Sequence, residues 1–126
     1  MADELTVSAS ISYEKNNHQL SFTPDQQLVT VAGVEHAAGV QILSTTHTAL
    51  ELNDVAAADQ GWAWFRNIGT ALDSHIKVGV NNADNSFTEI FNLLGGEFAI
   101  MRLGDTPLYA ESSTGTLYIQ YSILEI

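Results

Sequence analysis

Polar and apolar residues alternate along much of this chain with a period of two, which predicts β-strands. The alternation is strict over residues 5–13, where the odd positions are apolar and the even ones are mostly small and polar. Such a pattern is typical of a strand with one face in water. The same period returns at residues 75–80, 87–93 and 116–126. Residues 28–32 are apolar on both faces, which predicts a strand buried inside a sandwich.

Turn-forming residues separate these segments. Residues 15–18 (Lys-Asn-Asn-His) predict a hairpin turn, because Asn tolerates the left-handed backbone that such turns need. Residues 54–59 allow at most one helical turn, with Asp54 as its N-cap. About eight to ten short strands, with turns at roughly every 8 to 12 residues, predict an all-β, antiparallel β-sandwich that resembles a jelly roll. We expect residues 1–126 to form one domain, with residues 1–4 as a flexible N-terminal arm.

Two strands near the end of the chain carry more detailed predictions. The apolar positions change phase between Ile100 and Met101, which predicts a β-bulge or a twist there, in a strand buried on both faces. The last strand places Leu117, Ile119 and Tyr121 on one face and reaches the final residue. We therefore expect this strand to be an integral member of a sheet.

The charge balance excludes several classes of partner. Fifteen acidic residues oppose four basic ones, which gives a formal charge of -11. Because nucleic-acid affinity comes largely from Lys and Arg that neutralise phosphates, we expect binding to neither nucleic acid nor an anionic membrane surface. The chain has no cysteine, which excludes disulfides and thiol chemistry. No signal peptide or membrane-spanning run is evident, so we expect a soluble protein synthesised in the cytoplasm.

Catalytic and metal-binding signatures are absent from the sequence. The four histidines are scattered, and no Gly-x-Ser-x-Gly motif marks a nucleophile. We therefore predict no catalytic residue, no cofactor and no metal site. The loop at residues 81–86 holds Asp84 among amide oxygens and could ligate calcium, but an ordinary hairpin turn is the preferred interpretation.

Four residues are candidates for a subunit interface: Trp62, Trp64, Arg66 and Arg102. The two tryptophans lie two positions apart, so on a strand they face the same way. They are either core or interface residues, or a stacking platform for sugar rings. The arginines are notable because cations are scarce in this chain, and each is expected to pair with carboxylates or to anchor a subunit contact.

Two blocks of sequence resemble the small structural proteins of tailed bacteriophage virions. The first is Gly-Trp-Ala-Trp-Phe-Arg-Asn at residues 61–67, followed by residues 75–80. The second comprises residues 96–103, 108–110 and 115–125, so that the resemblance covers about residues 61–126. It implies a small β-sandwich that is present in many copies on a phage particle, and it supplies no catalytic residue.

The resemblance and the charge together predict a capsid decoration or cement protein. A strongly acidic protein should avoid packaged DNA, which favours the outer face of the head. The expected partners are the major capsid protein and further copies of this chain, with a homotrimer favoured at three-fold positions. The alternatives are a tail, baseplate or fibre component, and a carbohydrate-binding module that uses Trp62 and Trp64. An enzyme is the third alternative.

Overall fold

The computed structural model describes residues 5–31, 33–70 and 73–126. Their contacts divide the chain into two compact units, Met1–Ala32 and Gly33–Ile126. The expectation of one domain over residues 1–126 remains a prediction. The proposed flexible arm at residues 1–4 lies outside the described residues.

The first unit is a long, interrupted β-hairpin. It contains β1 (Leu5–Val7), β2 (Ile11–Lys15), β3 (His18–Phe22) and β4 (Gln27–Val29). β1 pairs with β4, and β2 pairs with β3, all antiparallel. The strand predicted at residues 5–13 is therefore split between β1 and β2 at residues 8–10.

The hairpin turn predicted at residues 15–18 is confirmed. Asn16 and Asn17 have φ values of 51° and 66°, the left-handed pair that a two-residue type I′ turn requires. The prediction of a buried strand at residues 28–32 is wrong for residues 28–31, none of which is buried, and Ala32 lies outside the described residues. Leu28 is 51% exposed, because β4 pairs only with the three-residue β1 and no second layer among the residues 5–31 covers it.

The second unit is a sandwich of two four-stranded antiparallel sheets. One sheet has the order β10-β7-β12-β5 and the other the order β6-β11-β8-β9. Their strands are β5 (His36–Leu43), β6 (Thr48–Ala49), β7 (Gln60–Asn67), β8 (His75–Asn81), β9 (Phe87–Leu94), β10 (Phe98–Arg102), β11 (Tyr109–Ser112) and β12 (Leu117–Glu125).

The strand order of this unit is that of a jelly roll. β8 pairs with β9, β7 with β10, β6 with β11 and β5 with β12, so the pairs are nested in sequence. Eight strands wound in this way into two sheets form the jelly roll. The predicted all-β, jelly-roll-like sandwich is confirmed. The described residues form twelve strands instead of eight to ten, because the N-terminal hairpin has four strands of its own beside the eight of the sandwich.

Alternation along the sandwich strands fills the core between the sheets. Phe65, Ile76, Ile119 and Ile123 are completely buried there, and Tyr121 is 5% exposed. β12 lies between β7 and β5, which confirms that the last strand is an integral sheet member. This arrangement leaves the outer face of each sheet for other roles.

Two local predictions are corrected by the structure. β10 pairs with β7 in continuous register from Phe98 to Arg102, so the bulge predicted at Ile100 is wrong. The register shifts occur instead in the pairing of β8 with β9 and of β12 with β7. The single helical turn is present as a short 3₁₀ helix at Ala57–Asp59, but its N-cap is Ala56 and not Asp54.

Candidate functional site

The outer face of the β10-β7-β12-β5 sheet carries all four interface candidates. Trp62, Trp64 and Arg66 alternate along β7 with the buried Ala63 and Phe65. Arg102 lies on β10, where its register partner is Trp62. Sequence spacing predicted that the two tryptophans share a face, and this is confirmed. Their role in an interface remains a prediction.

Neighbouring strands complete this surface, which we call the arginine face. The register sets Arg66 between Phe98 and Gln120, and Trp64 between Ile100 and Ser122. The outward positions of the four strands are His36, Ala38, Val40, Ile42, Trp62, Trp64, Arg66, Phe98, Ile100, Arg102, Tyr118, Gln120, Ser122 and Leu124.

Charge is distributed unusually over the arginine face. None of its outward positions is Asp or Glu, although the chain has fifteen such residues. The face holds Arg66 and Arg102, which are two of the four basic residues in the chain. Among the described residues, neither arginine has a carboxylate within ion-pair distance. The expected pairing of these arginines with carboxylates is therefore not seen among the described residues, where the sheet register places apolar and neutral side chains beside them.

Large apolar side chains on this face are exposed. Phe98 is 68% exposed, Ile42 64%, Val40 54% and Tyr118 46%. Trp64 is 38% exposed and lines a shallow depression of about 440 Å³ together with Arg66, Gly96, Phe98 and Ile100. Contiguous apolar surface on a folded domain marks an interaction site more often than scattered single residues do.

The two tryptophans are not equivalent. Trp62 is half-buried, and its indole Nε1 is buried without a hydrogen-bond partner among the described residues. Trp64 presents more of its ring to solvent. A stacking platform for sugars needs open ring faces beside polar groups that bond to hydroxyls. The neighbours of Trp64 in register are Ile100 and Ser122, so the surface is richer in apolar than in polar partners.

The loop at residues 81–86 is an internally bonded hairpin turn. Asp84 Oδ1 accepts hydrogen bonds from the Ser86 hydroxyl at 2.6 Å and from the Ser86 backbone N–H at 3.1 Å. These bonds, the hydroxyl first, hold the pKa of Asp84 below its ordinary value. Asn82 Nδ2 donates to Ser86 and Thr88. Asp84 Oδ1, one of the oxygen atoms that could ligate calcium, is therefore engaged within the turn.

The histidines remain dispersed in the structure. His47 makes side-chain contacts: its Nε2 lies 2.8 Å from Asn81 Oδ1, and its ring stacks on Phe87 at a centroid distance of 5.3 Å. No group of three or more His, Asp or Glu side chains that could hold a metal ion occurs within residues 5–31, 33–70 and 73–126. The described part of the chain also has no helix long and apolar enough to cross a membrane.

One buried polar side chain of the sandwich, that of Asn67, is bonded at both of its polar atoms. Asn67 is fully buried; its Nδ2 donates to the Leu93 carbonyl and its Oδ1 accepts from the Gly69 N–H, both at 2.9 Å. Since Asn67 belongs to β7 and Leu93 to β9, this side chain ties the two sheets together. No motif in the sequence marks Asn67, and only its alternation with Phe65 indicated that it faces inward.

Comparisons of the chain with protein-family models, with curated proteins and with solved structures returned no match.

Proposed function

We propose that this chain is a non-catalytic structural subunit of a multi-copy protein assembly, and that it serves as a decoration protein on the outer face of a bacteriophage head. The observation that carries the proposal is the arginine face. It combines exposed large apolar side chains, two arginines and no carboxylate on a chain of charge -11. Protein interfaces are enriched in aromatic residues and Arg and depleted in Asp, Glu and Lys.

The rigidity of this surface also supports a docking role. Its side chains stand on four hydrogen-bonded strands whose opposite face is the sandwich core. A preorganised surface loses little conformational entropy on binding, which favours affinity. The placement on a phage head rests on the resemblance of residues 61–126 to small virion proteins and on the repulsion expected between an acidic protein and DNA.

The test compares two matched isoleucine substitutions. Ile42 on the arginine face is 64% exposed, and Ile90 on β9 of the other sheet is 60% exposed. We expect Ile42→Ser to reduce the amount of protein bound to purified undecorated phage heads at least tenfold, and Ile90→Ser to leave it unchanged. The readout is the number of copies per head by quantitative mass spectrometry, together with the temperature at which the heads release DNA.

Three outcomes would contradict the proposal. Failure of the wild-type protein to bind heads at all, together with a few copies per virion, would favour a tail, baseplate or fibre component. A change in tryptophan fluorescence on addition of glycans, abolished by Trp64→Ala, would favour the carbohydrate-binding alternative. Equal loss of binding in the Ile42 and Ile90 variants would show that the arginine face is not the docking surface.

A further inference from the structure

The N-terminal hairpin presents an apolar stripe that no described residue of its own unit covers. Register pairs Ile11 with Phe22 and Tyr13 with Leu20, so these four side chains lie on one face of the β2–β3 ribbon. Their exposed fractions are 63%, 61%, 51% and 63%, respectively. We call this set the hairpin stripe.

The opposite face of the ribbon is polar. It carries Ser12, Glu14, Gln19 and Ser21. No residue described in the range 5–31 is buried, so this unit has no core of its own. A two-stranded hairpin is only marginally stable in water unless another surface covers its apolar face.

The hairpin is nonetheless built to a definite geometry. The left-handed Asn16 and Asn17 fix a two-residue turn, and that turn fixes the register of the four stripe residues. A ribbon with a fixed register and one exposed apolar face is suited to packing on an apolar surface of another protein.

We propose that the hairpin stripe of one chain packs on the arginine face of a second copy of the same chain. This inference rests on the proposed function, because it takes the arginine face as a protein-docking surface within a multi-copy assembly. Its occupant is then a second copy, and the assembled copies together bind the head. Both surfaces are β-structures with alternating side chains, and such faces pack about 10 Å apart. Tyr13 and Phe22 would then meet the aromatic residues Trp64, Phe98 and Tyr118.

Charge favours this pairing over other contacts between copies. Two chains that each carry a charge of -11 repel one another over most of their surfaces. The arginine face has no carboxylate. On the β2–β3 ribbon Glu14 lies on the polar face, and the face of the hairpin stripe carries Lys15 and no acidic residue. These are therefore surfaces on which two copies can approach without facing carboxylates.

The area of the contact favours a closed dimer, in which the hairpin stripe of each chain packs on the arginine face of the other. Large apolar side chains cover 150–250 Å² each when fully buried, so the four partly exposed stripe residues offer roughly 400 Å². An equal area on the arginine face gives roughly 800 Å² for one contact, which is below the ~1,000 Å² of a specific interface. Two reciprocal contacts in a dimer reach roughly 1,600 Å², which is the standard size.

The first test measures association of the complete chain. We expect the wild-type protein to form a closed oligomer in sedimentation at about 100 µM. The double variant Leu20→Ser and Phe22→Ser should raise its dissociation constant more than tenfold. The matched control Ser12→Thr and Ser21→Thr alters the polar face of the same hairpin and should have no effect.

Tryptophan emission gives an independent readout, because both tryptophans of the chain lie on the arginine face. Emission should shift to the blue as the oligomer forms, and it should stay red-shifted in the Leu20→Ser and Phe22→Ser variant. Retention of the wild-type circular dichroism spectrum in that variant would show that the sandwich is still folded.

The second test identifies the partner surface by cross-linking. The natural chain has no cysteine, so single cysteines can be introduced without interference. A Leu20→Cys preparation and an isotope-labelled Ile42→Cys preparation are mixed and treated with a bismaleimide that spans about 10 Å. We expect mixed dimers. Ile90→Cys in place of Ile42→Cys should give none.

The outcomes separate this inference from the proposed function. If Ile42→Ser dissociates the oligomer but the Leu20 and Phe22 changes do not, the arginine face binds protein but the hairpin is not its occupant. If the wild type is monomeric, or a chain carrying both cysteines cross-links only within itself, the exchange between copies is refuted. Binding of that monomer to phage heads would leave the proposed function intact.

Discussion

Replacing Tyr121 with Ala should be among the most destabilising single changes in the sandwich. Tyr121 is 5% exposed and lies on β12, between β7 and β5. Its ring is stacked with that of Phe65 at a centroid distance of 6.4 Å, and its hydroxyl donates to the Glu51 carbonyl at 2.8 Å. The substitution therefore removes both packing and a hydrogen bond.

The magnitude follows from these contacts. Truncation of a buried aromatic residue to Ala costs about 3 to 5 kcal/mol, because a cavity remains where the surroundings cannot collapse. The central position of β12 limits such collapse, and loss of the hydroxyl contributes about 1 kcal/mol. We expect a cost near the upper end of that range.

Tyr118 provides a control on the same strand. It faces outward and is 46% exposed, so Tyr118→Ala should cost less than about 1 kcal/mol. Unfolding in guanidinium chloride would be followed by the fluorescence of Trp62 and Trp64, which lie on the adjacent strand β7. Measurements at one low protein concentration keep association from contributing.

One result would refute the reasoning. If Tyr121→Ala and Tyr118→Ala lowered the unfolding free energy equally, with unchanged denaturant dependence, the alternation that places Tyr121 in the core would be wrong. A change in the denaturant dependence alone would indicate an altered unfolded or native state instead.

Four further predictions concern single contacts. Burial raises the pKa of the Tyr121 hydroxyl in the folded state, so its contribution to stability is complete below the unfolded pKa of about 10 and is lost as pH rises through the folded pKa. Tyr121→Phe should therefore reduce the loss of unfolding free energy at alkaline pH. An unchanged pH dependence of the unfolding free energy would contradict this. Asn67→Ala removes the side-chain hydrogen bonds to the Leu93 carbonyl and to the Gly69 N–H, and should lower the unfolding free energy measured in denaturant by about 2 to 4 kcal/mol. The control Asn92→Ala, on the exposed side of β9, should lower it by less than about 0.5 kcal/mol. A Cβ at Gly79 would collide with the Thr88 carbonyl, while one at Gly104 meets nothing within 4 Å; Gly79→Ala should therefore lower the unfolding free energy by about 1 to 3 kcal/mol, and Gly104→Ala should change it far less. Ser86→Ala removes the hydroxyl that lowers the pKa of Asp84, so the Asp84 carboxyl should titrate closer to its ordinary value by NMR, and no upward shift would show that this bond is absent in solution.

Several features of this protein follow from the sequence alone. Period-two alternation fixes which side chains of a strand share a face, whatever the strand pairs with. This is why the common face of Trp62 and Trp64, and the inward side of Tyr121, could be predicted. The Asn16–Asn17 turn was equally predictable, because few residues adopt a left-handed backbone and Asn is one of them. The charge of -11 follows from composition.

Other features were decided by the tertiary structure. An apolar run such as residues 28–32 predicts burial, but burial requires a covering layer, and β4 meets only the short β1. Register shifts likewise depend on partner strands, so the pairing of β8 with β9 contains one between Val78 and Gly79 that no local pattern indicated. Above all, the arginine face is assembled from four strands that are distant in sequence. Arg66 and Arg102 share a surface free of carboxylates because long-range register places β10 beside β7, and local patterns do not specify that register.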